Sequence, residues 1–463
     1  MNVLLVITNI NGFHEVPYSF GLGSIASYIT SKGHNTKILA IRNREDYDKL
    51  IDEARLNKPS VVGFSAVSSQ YDFVKDLAKL VKDIDKDIMV VCGGVHPTLY
   101  PNAILESDSI DGFFVGESEI AFVDLLDRLE KKMDYSAVNN LAYRDADKVI
   151  VNRLNPLIHD LDKLPFPLKD SLFEEFIKTN GFAPFFFSRG CPYSCSYCSN
   201  HALAKKYGMA TNKPRFRSVD SCIKEIKEAR EKYPFNSVWI MDDTFGLDKK
   251  WRQEFCKAYK KEINLRFLCL LRVNIVDEKF INLLKAAGCY RIMFGVESGN
   301  EWVRNVVMNR NLSNEQISRA FGLCRKHKIE TLALNIIGVP GETEEMIWDT
   351  IKLNRKIRSD DSGVNIFYPY KGTKLGDACF EKGLVDIDLY SSFSNERRQT
   401  VLKYDEQYQQ KLYYYRDNWE DLVLPFTTRM KRRLLKMARN SFAWRSLRAV
   451  KNNIFCKKEV THV

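Results

Sequence analysis

Phe185-Phe-Phe-Ser188-Arg-Gly-Cys191-Pro-Tyr-Ser-Cys195-Ser-Tyr197-Cys198-Ser-Asn200 joins a short apolar run to a C-x3-C-x2-C loop. The loop holds three thiols and has no fourth partner nearby. Iron–sulfur clusters are usually held by four thiolates, so three ligands offer a 4Fe-4S cluster with one iron open to a substrate or cofactor. Tetrahedral zinc wants four ligands in two pairs; no second pair lies beside this loop, and His201 stands only three residues past Cys198. A disulfide fits poorly with an odd count of eleven cysteines and no secretory signal. The other eight are scattered, and those in apolar runs (Cys92, Cys269, Cys289) read as small buried hydrophobes.

Working outward, the run at Phe185–Ser188 opens a series of strands alternating with helical segments. Its later strands are expected at Ser237–Met241, Phe267–Arg272, Tyr290–Val296, Thr331–Ile337 and Val364–Pro369. Six such units predict a partial (β/α)6 barrel with its active site at the carboxyl ends of the strands. Upstream, apolar runs at Val3–Ile7, Thr36–Ile41, Val61–Ala66, Ile88–Cys92 and Gly112–Val115 alternate with amphipathic segments such as Gln70–Asp85 and Ser118–Lys132. That alternation predicts an α/β domain with a doubly wound parallel sheet and ligands at its strand ends. A hairpin around Arg144–Lys148 and the proline-containing Leu161–Pro167 mark a connection. The expected organisation is an α/β domain over 1–135, a linker with hairpin over 136–180, a barrel over 181–384 and a helical C-terminal segment over 385–463.

With 463 residues, 45% of them hydrophobic, the chain can build two or three cored domains. Met1–Ile7 is too short for a signal peptide, and no run of about 18 apolar residues suggests a membrane span. A cytoplasmic protein is expected. The net charge of +11 sits in one place: eleven Lys or Arg and no acid lie between Arg429 and Lys458. Met430, Leu434, Ala438 and Phe442 recur every four residues there, flanked by Arg432, Arg433, Lys436 and Arg439, the pattern of a basic amphipathic helix. The tail is therefore expected either to make the protein peripheral to a membrane surface or to dock on the barrel.

The spacing and local sequence of the cysteine loop resemble those of the radical S-adenosylmethionine (SAM) enzymes. The resemblance implies that Cys191, Cys195 and Cys198 bind a 4Fe-4S cluster whose free iron chelates SAM and whose electron cleaves it to a 5′-deoxyadenosyl radical. Further segments resemble the family in order. Tyr197 stands where the family packs an aromatic residue near the adenine, although a lone Tyr is ordinarily core. Asp242 and Asp243, at the end of the second strand, match a D-D-x-F segment and are expected to hold the methionyl ammonium; the alternative is a helix cap by the second acid. Arg272 is a suitable fork for the methionine carboxylate, or else an ordinary surface ion pair. Glu297 lies in Phe294-Gly-Val-Glu297-Ser298-Gly299, close to the family's G-x-E-S-G, where the acid accepts from the ribose hydroxyls. Gly338 and Gly341, in a G-x-P-G-E-T turn, would let the backbone approach the adenine. In Tyr368-Pro-Tyr-Lys371-Gly372-Thr373, Lys371 replaces the proline of the family's P-Y-P-G-T turn.

Residues 1 to about 135 resemble the cobalamin-binding domain of one branch of that family. The matching pieces include Gly21-Leu-Gly-Ser, Lys32-Gly33-His34, Gly93-Gly-Val-His96 and Gly116-Glu-Ser-Glu119. The resemblance implies cobalamin contacts from Ser65, Gly93, Gly94, His96, Gly116 and Glu117; His96 faces the corrin or hydrogen-bonds its own loop. The D-x-H-x-x-G element that supplies imidazole to cobalt is absent, since Gly12 rather than an acid precedes His14. A first domain that serves the fold alone is the other reading.

Methylthiotransferases with a similar barrel need three more N-terminal cysteines, and only Cys92 is present; peptide-maturating relatives need a cysteine-rich extension, and only Cys379 and Cys456 follow the last expected strand. What remains is radical methylation of an unactivated carbon or phosphorus of a small or lipid-like metabolite, or a cobalamin-dependent cyclisation or rearrangement. A different class is a non-catalytic sensor whose tail grips nucleic acid. The enzyme reading implies an external electron donor such as flavodoxin or ferredoxin and no nucleic acid.

Overall fold

The first strand, β1 (Asn2–Thr8), is apolar from Val3 to Val6 because both its faces are covered, as in the middle of a parallel sheet. β2 (Asn35–Ile41), β3 (Val61–Ser65), β4 (Met89–Gly93) and β5 (Gly112–Phe114) join it in parallel. The computed structural model describes residues 1–10, 12, 17–211, 213–392, 397–430 and 434; His14 lies outside them.

The five parallel strands run in the order β2-β1-β3-β4-β5, so the winding reverses between β1 and β3 and a crevice opens at the carboxyl ends there. The helices on each face bury apolar stripes. Tyr71–Ile84, for example, turns Tyr71, Val74, Leu77, Ala78 and Val81 inward at helical spacing. The hairpin of β6 (Leu141–Asp145) and β7 (Lys148–Val151) pairs antiparallel along the edge of β5, so it belongs to this seven-stranded sheet rather than to the connection expected over 136–180. Its register buries Leu141 and Ala142 against the sheet core.

The connection itself runs back over the first domain, where Leu168 N donates to Gly23 O (2.9 Å), and contains a helix, Ser171–Asn180, capped by Asp170. The second sheet follows: β8 (Ala183–Phe185), then β11 (Ser237–Ile240), β12 (Arg266–Leu271), β13 (Cys289–Glu297), β14 (Glu330–Ile337) and β15 (Asp361–Ile366), all parallel in the order β15-β14-β13-β12-β11-β8. This is the open six-stranded half-barrel expected. A short antiparallel pair, β9 (Ser188–Arg189) with β10 (Arg215–Phe216), bridges the gap toward the first domain. The helix Glu406–Asp417 closes the far edge, packing Leu412 and Tyr415 on Ile337, Val364 and Ile366. Among the described residues no helix is long and apolar enough to cross a membrane.

Candidate active site

Gly190, in the left-handed region at φ 99°, turns the chain from β9 into Cys191. The loop is then tied down from outside itself. Ser196 N donates to Met308 O (3.0 Å), Ser196 Oγ to Val307 O (2.7 Å) and Asn309 Nδ2 to Ser194 O (2.8 Å), while Leu375 N donates to Ser196 O (2.8 Å). Cys195 is buried and Cys191 and Cys198 are half-buried; Cys198 is the N-cap residue of the helix Ser199–Lys206. Burial pushes the Cys198 thiol up to about 12 and raises Cys191 as well, so forming thiolates requires a compensating positive charge.

Part of that charge is built in. Arg272 Nη1 lies 3.5 Å and Arg310 Nη1 3.8 Å from Cys195 Sγ. Arg272 Nη2 donates to Arg310 O, and the guanidinium sits 3.9 Å from the Tyr193 ring centroid. Arg272 is buried, so it is not the surface ion pair offered as the alternative, and its Nε remains without a partner.

Glu297 closes β13 at φ 65°, where the pairing with β14 slips between Gly295 and Glu297. Such a slip re-aims a side chain. Here it brings Glu297 Oε1 to 3.4 Å from Arg310 Nη1, both groups buried. Arg310 also donates to Tyr197 Oη (2.9 Å) and Gly295 O (2.7 Å), and a Cβ on Gly295 would collide with both partners of the ion pair. Arg310 reaches this point because Arg304, fully buried, clasps its loop by donating to Ser298 O (2.5 Å), Leu312 O (2.8 Å) and Asn314 Oδ1 (2.9 Å). Neither arginine lies in a recognisable sequence pattern. Tyr197 is thus held by Arg310 at the centre of the site.

Other expectations change. Asp242 is fully buried and accepts from Phe187 N (2.6 Å), Ser188 N (3.2 Å) and Ser188 Oγ (2.7 Å), so both of its oxygens are engaged in fastening the end of β11 to the chain before the cysteines. Burial lifts its carboxyl to about 7 against those hydrogen bonds. Asp243 does not cap a helix, since the next one, Lys249–Glu262, is capped by Asp248; it stands instead beside Cys191 and Cys198. Gly338 and Gly341 both have positive φ, but a Cβ would meet Leu412 Cδ1 (3.0 Å) and Trp302 (3.3 Å) respectively. On the Cβ side the two glycines therefore pack against the helix Glu406–Asp417 and an indole. His96 turns away from the strand-end crevice: Nδ1 pairs with Ser68 Oγ (3.1 Å), the ring lies 4.6 Å from Tyr71, and burial lowers its pKa to about 3.

The remaining first-domain residues meet the cysteine loop across one cavity of about 390 Å³. Ser65, Gly93, Gly94, Gly116 and Glu117 line one wall; Phe187, Arg189, Gly190, Asn200, Arg215 and Asp243 line the other. Its walls are mostly apolar and its polar rim is an ion-pair belt between the domains. Arg215 Nη1 donates to Glu117 Oε2 (3.0 Å), and Arg189 Nη2 donates to Glu119 Oε1 (2.5 Å) and Ser24 Oγ (3.1 Å). Close packing behind the strand ends requires glycine there: a Cβ on Gly94 would lie 2.7 Å from Ala66 O, one on Gly63 would lie 2.9 Å from Leu5 Cδ2, and one on Gly116 would collide with Tyr207 Oη. A large planar ligand inserted over the strand ends is what such a cradle suits, and the three thiols with two guanidiniums suit an anionic cluster.

Residues 185–353 match the radical SAM superfamily and residues 8–126 match the B12 binding domain. The chain belongs to the radical SAM enzymes that carry a B12-binding domain. Membership in this family brings three cofactors: a 4Fe-4S cluster, SAM and cobalamin. An uncharacterized methyltransferase of Pyrococcus horikoshii is 29% identical over 371 residues, 79% of each chain. The anaerobic magnesium-protoporphyrin IX monomethyl ester cyclase of Rubrivivax gelatinosus is 27% identical over 79% of this chain and 67% of its own. Among solved structures, the radical SAM methyltransferase TsrM of Kitasatospora setae, with cobalamin and a [4Fe-4S] cluster bound, superposes with a TM-score of 0.68 at 17% identity, covering 82% of this chain and 75% of that one. That likeness is one of fold.

Proposed function

We propose that this radical SAM enzyme methylates an unactivated carbon of a small or lipid-like metabolite, with cobalamin as methyl carrier. The observation that carries the reading is the single cavity whose walls run from the strand ends of the B12-binding domain to Gly190 and Asn200 of the cysteine loop. Cys191, Cys195 and Cys198 would hold the cluster, with Arg272 and Arg310 offsetting its negative charge at Cys195. Glu297 would face the SAM ribose, oriented by Arg310 and Tyr197. When bound, the cluster supplies the electron that cleaves SAM and the corrin supplies a second methyl carrier. The chain's own residues exclude water, through Phe114, Phe122, Phe186 and Phe187, and lock the two domains in register through the Glu117–Arg215 and Glu119–Arg189 pairs. An unactivated carbon has no lone pair for polar methyl transfer, so the radical route and the carrier belong together. Methyl transfer is preferred to cyclisation because the 29% identical relative is named a methyltransferase. An external one-electron donor such as flavodoxin or ferredoxin completes the reading.

Shared occupancy of the cavity is testable without a substrate. In protein loaded with cob(II)alamin, pulsed electron paramagnetic resonance should show faster cobalt spin relaxation when the cluster is reduced than when it is oxidised. Equal relaxation would place the centres apart and remove the reading.

The tail supplies a surface contact in the same proposal. Phe426, Met430 and Leu434, four residues apart, are 67, 38 and 56% exposed, in a stretch whose sequence carries eleven Lys or Arg between Arg429 and Lys458. Ala438, Phe442, Arg432, Arg433, Lys436 and Arg439 lie outside the described residues. An exposed apolar stripe with cationic flanks suits an anionic bilayer. The full chain is expected to float with anionic vesicles and a chain ending at Pro425 to stay behind; equal flotation of the two would discard the membrane contact.

A further inference from the structure

Three guanidiniums line the interdomain cavity, and two of them are neutralised within it: Arg189 by Glu119 and Arg215 by Glu117. The third is different. Arg217, only 5% exposed, follows β10 on the barrel side, and no ion pair joins it to an acid among the described residues. Its backbone is fixed on both sides, Arg217 N donating to Phe187 O (2.9 Å) and Trp251 Nε1 donating to Arg217 O (2.7 Å). Nη2 donates to Pro165 O (3.0 Å) and Leu164 O (3.5 Å) on the connecting segment, and the guanidinium lies 5.1 Å from the Phe166 ring centroid. Nη1 is buried with no partner at all. The last acid on the lining, Asp243, stands at the cysteine loop, where burial raises its pKa and Asn200 donates to it.

A buried, permanently charged group without a counter-ion is costly, and the cost is removed when an anion arrives to accept from the unused N–H. We propose that Arg217 is the seat of the anionic phosphodiester in the nucleotide loop of the bound corrinoid. This inference rests on the cobalamin reading above and adds to it that the barrel, not only the B12-binding domain, selects the corrinoid. The remainder of a corrinoid's rim carries neutral amides, so the phosphodiester is the group whose charge matches Arg217. Arg217 has one edge committed to backbone carbonyls and one edge free, the arrangement that holds a guanidinium still while it accepts a ligand.

The test compares two corrinoids that differ in this group: cobinamide phosphate, which ends in a phosphate, and cobinamide, which ends in the alcohol. Binding to the full-length, cluster-loaded protein is read from the visible absorbance of the corrin. Wild-type protein should bind cobinamide phosphate about 10- to 100-fold more tightly, the range for a hydrogen bond to a charged group. Arg217→Met should close that gap while leaving cobinamide affinity and iron content unchanged, and Arg217→Lys should keep part of it. A role confined to bracing Leu164 and Pro165 would weaken both corrinoids alike, and that result would overturn the assignment. So would equal affinities for the two in the wild-type protein, a comparison that stands even if the Met variant does not fold. Failure to bind either corrinoid would take down the cobalamin reading itself and this inference with it.

Discussion

Arg310→Met is expected to destabilise the protein by about 3–5 kcal/mol, the cost of removing one partner of a buried ion pair and leaving the other charged. Burial works against the Arg310 charge, but Tyr197, Glu297 and Cys195 more than offset it and hold its pKa above the ordinary value. Without the guanidinium, Glu297 keeps a buried carboxylate at the end of β13 with no cation beside it, and Tyr197 Oη and Gly295 O lose their donor. Chemical denaturation should show the loss, and Arg310→Met combined with Glu297→Gln should recover part of it because the orphaned charge is gone. Glu297→Gln alone should behave differently. Arg310 retains its other acceptors, so the fold and iron content should survive while SAM binding weakens by about 1.5–3 kcal/mol. Full SAM affinity in that variant would take Glu297 out of the cofactor site, and unchanged stability of Arg310→Met would show that the pair does not organise the site.

What could be read from the chain alone divides along physical lines. Strands covered on both faces are written as continuous apolar runs, which is why β1, β3 and β4 and the barrel strands β11 to β14 fall within a residue or so of their expected positions. The three cysteines are equally legible, because cluster ligation needs a fixed residue type at fixed local spacing. Arg310 and Arg304 were not, because their roles depend on where a loop folds back: Arg310 lies 115 residues from Cys195, and a basic residue in a polar loop looks the same whether it meets solvent or a thiol. Asp242 shows the reverse failure. Two adjacent acids just past a strand end look alike in sequence, yet Asp242 is buried on the backbone of Phe187 and Ser188 while Asp243 stands beside the cysteine loop. The hairpin β6–β7 was visible as a hairpin, but its edge pairing with β5 is a long-range choice that its own residues do not announce.

The claim on which the rest depends is that Cys191, Cys195 and Cys198 together hold the cluster that cleaves SAM. Among the described residues the other cysteines, Cys92, Cys222, Cys256, Cys269, Cys289, Cys324 and Cys379, are all buried in the cores, so this loop alone groups three thiols within eight residues. Replacing all three by Ala should therefore abolish iron and sulfide incorporation rather than reduce it. The direct measurement is 5′-deoxyadenosine formed from SAM under strong reductant and strict anaerobiosis, by reconstituted wild-type protein and by the triple variant at equal concentration. 5′-Deoxyadenosine is expected from the iron-replete wild type and none from a variant that carries no iron. Unchanged iron content in the variant, or no 5′-deoxyadenosine from iron-replete wild type, would contradict the claim.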